Sequence, residues 1–511
     1  MQTLWQELRF GARMLMKKPS FSLAAVLVIL AAAITAASAR QNNNPAAAFD
    51  GVREFIKQQL GERRLPSVAV AVARDGRVIW EEAFGWADVE KRIPATPHTM
   101  YSLASISKPI TATGLMILRE RGRIELDRPI NEYLGEAKIA VRVGNPADAT
   151  VRRVANHTAG LPLHYQFFYE DEPYRAPSRD ETIRRYGASV TAPGERYQYS
   201  NLGYGILDHV ITRVSGRSYN DFMREEVFLP LGLTHTSVNI GPGLEKYQAI
   251  RYGTDGAPIP FYDFDHPGGS AVYSSAHDLV RFGMFHLKAH LSDQKAILKD
   301  ETIDEMQRDT AKAASNVGYG IGWGTNESPG GRRVISHSGG MGGVSTLLRL
   351  YPAEKIAIVV LSNASSNLPG QVMERIVAVV APDTARGQGG QNQPAPDFKP
   401  TNELLGAWQG KVHTYKGELN FKLLFQPDGD VHAQLGTQLK TLLNRTQFRD
   451  GYLSGTFASD IGTEDANRRR YSLSLSLKLR GNVLNGAMTA QSLPGRRVGN
   501  ALTYWVELKK E

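Results

Sequence analysis

The chain has 511 residues, a net charge of +9 from 60 Lys and Arg against 51 Asp and Glu, and no cysteine. Its length favours more than one domain, and its composition is that of a globular protein. The lack of cysteine excludes disulfides, thiolate metal ligands and a cysteine nucleophile. Because the densest basic run outside the N-terminus is only the three arginines at 468–470, we expect no nucleic-acid partner.

The N-terminal residues predict an export signal over 1–39. Residues 1–18 are basic and amphipathic, and residues 21–39 contain no charge. This run ends in Ala37-Ser38-Ala39, the small-x-small pattern that signal peptidase recognises. It is also long enough to span a bilayer, so an uncleaved membrane anchor is the alternative. Both interpretations predict a periplasmic or extracellular protein, tethered to the inner membrane in the second case.

A mixed pattern over 45–381 predicts an α+β domain. Residues 68–73 before Asp75-Gly76 are an apolar run, and residues 78–80 after it are also apolar, which is typical of two strands of a β-hairpin joined by a tight turn. A helix is expected over 105–122, followed by a loop-rich and helical middle. Further strands are expected late in the domain, over 333–336, 343–351 and 355–361. Since early and late strands enclose a helical middle, we expect one antiparallel sheet that joins both ends of the domain and is flanked by helices.

The C-terminal fifth of the chain has a different pattern. Residues 382–400 are rich in Pro, Gly and Gln and nearly lack large apolar residues, which predicts a linker. Beyond it, residues 471–480 alternate strictly between apolar and polar side chains, and Gly481-Asn482 predicts a turn. Short strands with one polar face over 401–511 favour a small antiparallel barrel or sandwich.

Ser105 and Lys108 form a Ser-x-x-Lys motif at the expected start of a helix. Residues three apart on a helix share a face, so the lysine can hold the serine hydroxyl and accept its proton. A hydroxyl is a poor nucleophile until such a base activates it. A second copy, Ser292 with Lys295, is interpreted as an ordinary helix cap, and position alone does not distinguish the two.

Tyr199 and Asn201 form the only Tyr-x-Asn motif of the chain. A phenol held near a lysine ammonium ionises more easily and can act as a general base. The asparagine amide can orient both the lysine and a substrate carbonyl. The alternative is a loop tyrosine that precedes Asn201 at a helix N-cap.

His337, Gly339 and Gly340 lie between two predicted strands. Glycines in a strand often mark a close approach of another group, and an edge strand with free N–H groups can supply an oxyanion donor. The alternative is a glycine-rich turn. No Gly-x-Ser-x-Gly elbow and no His-Glu-x-x-His pair occurs in the sequence, and we expect neither a metal nor a cofactor.

These motifs occur in the contexts LASISKPITA, NHTAGLP, PGERYQYSN, GGSAVYSSAHDL and SHSGGMGG. In this order they resemble the serine β-lactamase-related family of the class C type, which includes β-lactamases, DD-carboxypeptidases, D-amino-acid amidohydrolases and esterases. The resemblance covers about residues 50–380. It implies a β-lactamase/transpeptidase-like fold, with an all-helical region beside the sheet. It also implies hydrolysis of a small-molecule or short-peptide substrate through a covalent acyl-enzyme, without metal or cofactor.

The resemblance also implies a role for each motif residue. Ser105 would be the acylated nucleophile and Lys108 its activating partner. Tyr199 would be the general base, and Asn201 would bind both Lys108 and the substrate carbonyl. His337 stands where β-lactamases usually carry a lysine; a histidine is charged only part of the time near neutral pH.

On the same resemblance, the oxyanion hole would be formed by the N–H groups of Ser105 and Gly340, with Gly339 beside them on the substrate-binding strand. The segment 401–511 resembles the lipocalin-like barrels that are sometimes appended to these hydrolases, on the basis of Gly406-Ala-Trp408 and the alternating pattern. An accessory role is expected for it. The alternative to an enzyme is a catalytically inactive binding or sensor protein for peptidoglycan-like ligands on the same fold.

Overall fold

The computed structural model describes residues 45–328, 330–382, 398–495 and 497–511. The predicted export signal lies outside these residues, as does most of the predicted linker. The chain divides into two compact units, Met1–Arg53 and Glu54–Glu511, and the first is described only from Pro45 onward. No helix within the described residues is both long and apolar enough to cross a membrane.

The strands up to residue 382 are β1 (Ser67–Arg74), β2 (Arg77–Asp88), β3 (Ile93–Pro94), β4 (Tyr101–Ser102), β5 (Ala140–Val141), β6 (Phe167–Tyr169), β7 (Ala188–Ser189), β8 (Thr236–Val238), β9 (Tyr262–Phe264), β10 (Val272–Ser274), β11 (Ala311–Ala314), β12 (Val317–Tyr319), β13 (Gly324–Glu327), β14 (Arg333–Met341), β15 (Val344–Tyr351) and β16 (Ile356–Ser362). The later strands are β17 (Gly406–Thr414), β18 (Gly417–Phe425), β19 (Val431–Leu435), β20 (Thr441–Leu442), β21 (Asn444–Arg449), β22 (Tyr452–Phe457), β23 (Tyr471–Arg480), β24 (Val483–Ser492) and β25 (Ala501–Lys510).

The α-helices are α1 (Asp50–Arg63), α2 (Ser107–Glu120), α3 (Val151–Ala155), α4 (Arg179–Tyr186), α5 (Asn201–Ser215), α6 (Tyr219–Met223), α7 (Pro267–Ser270), α8 (Ala276–His286), α9 (Asp300–Met306), α10 (Leu368–Val380) and α11 (Glu464–Asn467). Short 3-10 turns occur at Pro45–Phe49, Ala104–Ile106, Ile130–Glu132, Pro146–Asp148 and Glu245–Tyr247, and a π turn at Arg224–Phe228.

One nine-stranded sheet joins the two ends of the region up to residue 382, as predicted. Its order is β11-β12-β13-β14-β15-β16-β1-β2-β3, and β1 and β16 pair antiparallel with Val68 opposite Ser362. The hairpin between β1 and β2 turns at Asp75 and Gly76, whose φ angles of +48° and +74° suit the tight turn that the sequence predicted. Helices α8 and α10 pack on the buried strands β1, β15 and β16. This is the α+β arrangement that the sequence predicts.

A helical region lies beside this sheet and centres on α2, whose residues from Ser107 to Leu118 are all buried. Helices α5, α6 and α7 pack against α2. The helix was expected to begin at residue 105, but it begins at Ser107, because Ser105 lies in the preceding 3-10 turn Ala104–Ile106. The nucleophile candidate therefore occupies a tight turn at the helix entrance, not the first helical turn.

The C-terminal strands form a second nine-stranded antiparallel sheet in the order β20-β19-β18-β17-β25-β24-β23-β22-β21. Its edge strands β20 and β21 are separated only by Leu443, and the sheet is a nearly closed barrel that fits the lipocalin-like expectation. The alternating pattern of 471–480 is confirmed. Leu473, Leu475 and Leu477 are buried, whereas the serines between them are partly exposed.

Candidate active site

Ser105 lies in the turn between β4 and α2, and the residue before it is backbone-strained. Ala104 adopts a φ of +49°, a left-handed conformation that is unfavourable for a residue with a side chain. The Nζ atom of Lys108 lies 3.1 Å from the Oγ atom of Ser105. The turn therefore brings the serine hydroxyl and the lysine amine together, as the Ser-x-x-Lys spacing predicted.

Lys108 is fully buried and has three hydrogen-bond partners. Besides Ser105, its Nζ atom lies 2.8 Å from Asn201 Oδ1 and 2.9 Å from the carbonyl oxygen of Gly269. Burial lowers the pKa of Lys108 well below its usual value. A neutral amine has two N–H groups and one lone pair, which match two oxygen acceptors and one hydroxyl donor. The surroundings of Lys108 therefore suit a neutral base.

Tyr199 contacts both members of this pair. Its hydroxyl hydrogen-bonds to Ser105, and its ring centre lies 4.8 Å from the Nζ atom of Lys108. Burial nevertheless raises the pKa of the Tyr199 phenol, and the hydrogen bond to Ser105 offsets only part of this effect. We expected a nearby ammonium to lower the pKa of this phenol, but burial shifts it in the opposite direction. The raised pKa favours the protonated phenol.

His157 packs against Tyr199, with 4.4 Å between the ring centres. Its Nδ1 atom accepts a hydrogen bond from the backbone N–H of Ser200 at 3.1 Å. Burial lowers the pKa of His157 well below the usual value, so the ring is neutral. His157 therefore braces the segment that carries Tyr199.

His337 is buried, and both of its ring nitrogens form hydrogen bonds. Its Nδ1–H donates to the carbonyl oxygen of Ser338 at 2.8 Å, and its Nε2 accepts from the hydroxyl of Tyr319 at 2.9 Å. Burial lowers the pKa of His337 to about 3. The sequence led us to expect a partly charged histidine near neutral pH. Instead, the imidazole is neutral, so this position supplies no cation.

The glycines of β14 bring the strand close to the nucleophile turn. A Cβ atom at Gly339 would lie 2.0 Å from the carbonyl oxygen of Leu103 and 2.4 Å from Thr346 Oγ1. At Gly340 it would have no neighbour within 4 Å. Strand β13 pairs only with residues 333–336 of β14. Residues 337–341 of β14 do not pair with β13, so this part of the strand edge can face a ligand, as an oxyanion-binding strand requires.

Of the predicted site residues, Ser105, Asn201 and Gly340 line a cavity of about 250 Å³. Its lining residues are Ala104, Ser105, Tyr165, Phe167, Asn201, His266, Ser270, Gly340, Met341 and Val498. A larger surface depression of about 920 Å³ includes Arg308, Lys312 and Arg333, but none of the motif residues. The smaller cavity contains Ser105 and is the candidate active site.

The C-terminal barrel contributes to this cavity through the loop between β24 and β25. Val498 of that loop lines it. The loop is fixed in place because Tyr165 and Ala501 exchange backbone hydrogen bonds of 3.1 and 2.9 Å, and the hydroxyl of Tyr169 donates to the carbonyl oxygen of Val498 at 3.1 Å. The hydroxyl of Tyr452 also donates to Glu195 at 2.7 Å. The barrel therefore forms one wall of the candidate active site.

The structure brings together all the residues predicted for the site and separates the competing motif. Ser292 lies in an exposed turn, not at a helix cap, and Lys295 is also exposed. Sequence reasoning missed Gly269, His266 and Val498. Only Gly269 had a signal, because it belongs to the GGSAVYSSAHDL context.

Known proteins resemble this chain over most of the region that contains the site. The Beta-lactamase family model matches residues 52–381. Penicillin-binding protein 4* of Bacillus subtilis (strain 168) is 29% identical over 334 residues, which are 60% of this chain and 70% of that protein. Protein flp of Staphylococcus aureus (strain MRSA252) is 25% identical over 328 residues, which are 63% of this chain and 64% of that protein.

The fold likeness to solved structures extends further along the chain. An octameric penicillin-binding protein homologue from Pyrococcus abyssi matches with a TM-score of 0.57 at 22% identity, over 90% of this chain and 99% of that chain. The structure of SurE matches with a TM-score of 0.60 at 22% identity, over 91% and 99%. A class C β-lactamase matches with a TM-score of 0.56 at 18% identity, over 67% and 98%. With its family model matched from residue 52 to residue 381, the chain belongs to the β-lactamase family of serine hydrolases related to penicillin-binding proteins.

Proposed function

We propose that the protein is an exported serine hydrolase that forms a covalent acyl-enzyme on Ser105. The observation that carries the proposal is the contact of Ser105 with both the buried amine of Lys108 and the hydroxyl of Tyr199. The substrate is an ester, a D-amino-acid amide or a lactam. We favour an ester without a carboxylate, because the neutral His337 supplies no cation for one.

Acylation begins when the neutral amine of Lys108 accepts the proton of Ser105 and the serine oxygen attacks the substrate carbonyl carbon. The oxyanion is held by the N–H groups of Ser105 and Gly340. Tyr199 then donates its proton to the leaving oxygen as the carbon–oxygen bond breaks, and Lys108 returns a proton to Tyr199. In deacylation, water gives a proton to the same relay as it attacks the acyl carbon, and Ser105 leaves as a hydroxyl.

Labelling with a fluorescent fluorophosphonate and with a fluorescent penicillin tests the proposal. We expect adduct mass on the peptide that contains Ser105 after at least one reagent. Lack of an adduct from both reagents on folded protein would favour the alternative of a catalytically inactive binding protein. Export is tested separately by N-terminal sequencing of the mature protein, which should begin at Arg40 if the signal is cleaved.

The glycines of β14 give a matched pair of variants. Gly339→Ala places a Cβ atom against the carbonyl oxygen of Leu103, so the strand and its oxyanion donor must shift. Loss of one such donor typically lowers kcat about 10²–10³-fold, and we expect a loss of this size with p-nitrophenyl butyrate. Gly340→Ala keeps its N–H and meets no atom within 4 Å, so its rate and melting temperature should stay near wild type. Equal rates for the two variants would contradict the assignment.

The charge state of His337 predicts a change in substrate preference. His337→Lys introduces a group that can carry a positive charge, whereas His337→Gln does not. We expect the lysine variant to raise the ratio of kcat/KM for nitrocefin, which has a carboxylate, over p-nitrophenyl butyrate by about tenfold or more. The glutamine variant should leave this ratio unchanged. A ratio that rises equally in both variants would show that charge is not responsible.

A further inference from the structure

A buried cluster of three ionisable side chains adjoins the active site and has no part in the proposed mechanism. The Nε2 atom of His164 donates to Asp265 Oδ2 at 2.7 Å, and the Nδ1 atom of His266 donates to Asp265 Oδ1, also at 2.7 Å. All three side chains are at most 1% exposed. We call these residues the histidine–aspartate cluster.

The distances in the histidine–aspartate cluster are those of hydrogen bonds. One potential ligand atom from each residue lies within 4.8 Å of the others, which is close enough for a shared metal ion. Two ligands of one tetrahedral zinc ion, each about 2.1 Å from the metal, are about 3.4 Å apart. The two 2.7 Å contacts are shorter than this and match protons shared with a carboxylate.

The cluster is connected to the catalytic residues in two ways. The side-chain amide of Asn201 donates to the carbonyl oxygen of His164 at 3.1 Å, while its Oδ1 atom holds Lys108. His266 lines the same cavity as Ser105. The close packing of His266 against α5 depends on Gly205, because a Cβ atom at this position would lie 2.7 Å from the Cβ atom of His266.

Asp265 fixes which nitrogen of His266 carries the proton. Burial alone would raise the pKa of Asp265, but the neighbouring His164 and His266 lower it overall, so the carboxylate is ionised and only accepts hydrogen bonds. Burial lowers the pKa of His266, and its hydrogen bond to Asp265 opposes this effect only in part. The ring is therefore neutral with its proton on Nδ1. Its Nε2 is a hydrogen-bond acceptor that no group within the described residues engages.

The two sides of the cavity have different chemistry. Tyr199, which is proposed to protonate the leaving group, is surrounded by His157 and Tyr197. Asn201 and His266 line the cavity, whereas Tyr199, Tyr197 and His157 are not among its lining residues. Since the proposed mechanism places the leaving group at Tyr199, we assign the His266 side of the cavity to the acyl part of the substrate.

We propose that His266, oriented by Asp265, binds a hydrogen-bond donor, either a hydroxyl or an ammonium group, on the acyl part of the substrate. The inference rests on the proposed serine hydrolase function and adds a substrate feature to it. A substrate without the donor makes no hydrogen bond to Nε2, which is a basis for selectivity.

The test uses three p-nitrophenyl esters with the same leaving group: butyrate, 2-hydroxybutyrate and 2-aminobutyrate. We compare kcat/KM for wild type and His266→Phe, which keeps a ring but has no acceptor. The ratio of kcat/KM for one donor-bearing ester over that for butyrate should fall about 10- to 100-fold in the variant. The ester that loses more identifies the donor as a hydroxyl or an ammonium. The proposal is overturned if kcat/KM falls equally for all three esters in the variant, or if the ratios of kcat/KM between the esters do not change.

Asp265→Asn provides a second variant of nearly identical shape. An amide can donate to Nδ1 of His266, which moves the ring proton to Nε2 and turns the acceptor into a donor. Selectivity for the donor-bearing ester should then disappear, while the rate of fluorophosphonate labelling of Ser105 stays near wild type. Retained selectivity would contradict the role of Asp265. If wild type is neither labelled nor active on any ester, the proposed function itself fails. If Ser105 of wild type is labelled but the selectivity is missing, only the role of His266 fails.

Discussion

Ser105→Ala is expected to abolish acyl-enzyme formation and to lower kcat/KM for p-nitrophenyl butyrate by about 10⁴-fold or more, as removal of a serine nucleophile does in other hydrolases. The reason is that no other hydroxyl contacts the buried amine of Lys108 within the described residues. Initial rates and intact-protein mass after fluorophosphonate treatment measure the effect.

Ser292→Ala is the matched control for this variant, since Ser292 begins the second Ser-x-x-Lys motif of the chain. It lies in an exposed turn, and its loss should change neither rate nor labelling. If Ser105→Ala and wild type hydrolyse the ester equally fast, Ser105 is not the nucleophile and the inactive-protein alternative gains support.

Lys108→Arg is expected to have the next largest effect, a loss of about 10²–10⁴ in kcat/KM, which is the usual contribution of a general base. An arginine stays protonated at all accessible pH values and cannot accept the proton of Ser105. In wild type, burial lowers the pKa of Lys108 and the neutral form is the active one. The rate should therefore rise with pH through that pKa and then reach a plateau.

Lys295→Arg serves as the control, because this lysine is exposed and belongs to the motif that lies outside the site. Its pH profile should match that of wild type. If the rate of the Lys108→Arg variant still rises with pH over the same range as the wild-type rate, another group is responsible for that rise. In that case the neutral-amine assignment would be wrong.

Much of the fold could be predicted because its elements carry local signals. The turn at Asp75-Gly76 and the alternation over 471–480 predicted strand pairs that the structure contains. The joining of early and late strands followed from their order around a helical middle. The start of α2 was misplaced by two residues, because the sequence does not reveal that Ala104 takes a left-handed φ and forms a separate turn.

The motif residues of the site could be found from the sequence, but their ionisation could not. Lys108, Tyr199 and His337 each have a pKa that is shifted mainly by burial, which depends on neighbours far away in the chain. The sequence led to the expectation of an ammonium beside a phenol that ionises easily, whereas the structure favours a neutral amine beside a protonated phenol. The acceptor role of His266 was equally hidden, because it depends on Asp265 and on the cavity that His266 lines.

The packing of Gly339 on the nucleophile turn has a consequence for folding kinetics. The carbonyl oxygen of Leu103 lies directly against Gly339, so this turn is completed only when β14 reaches it from a distant part of the sequence. Contacts between distant segments form slowly, because the intervening chain must first be ordered. Catalytic competence should therefore appear late during refolding, after α2 and the hairpin of β1 and β2, whose contacts are local.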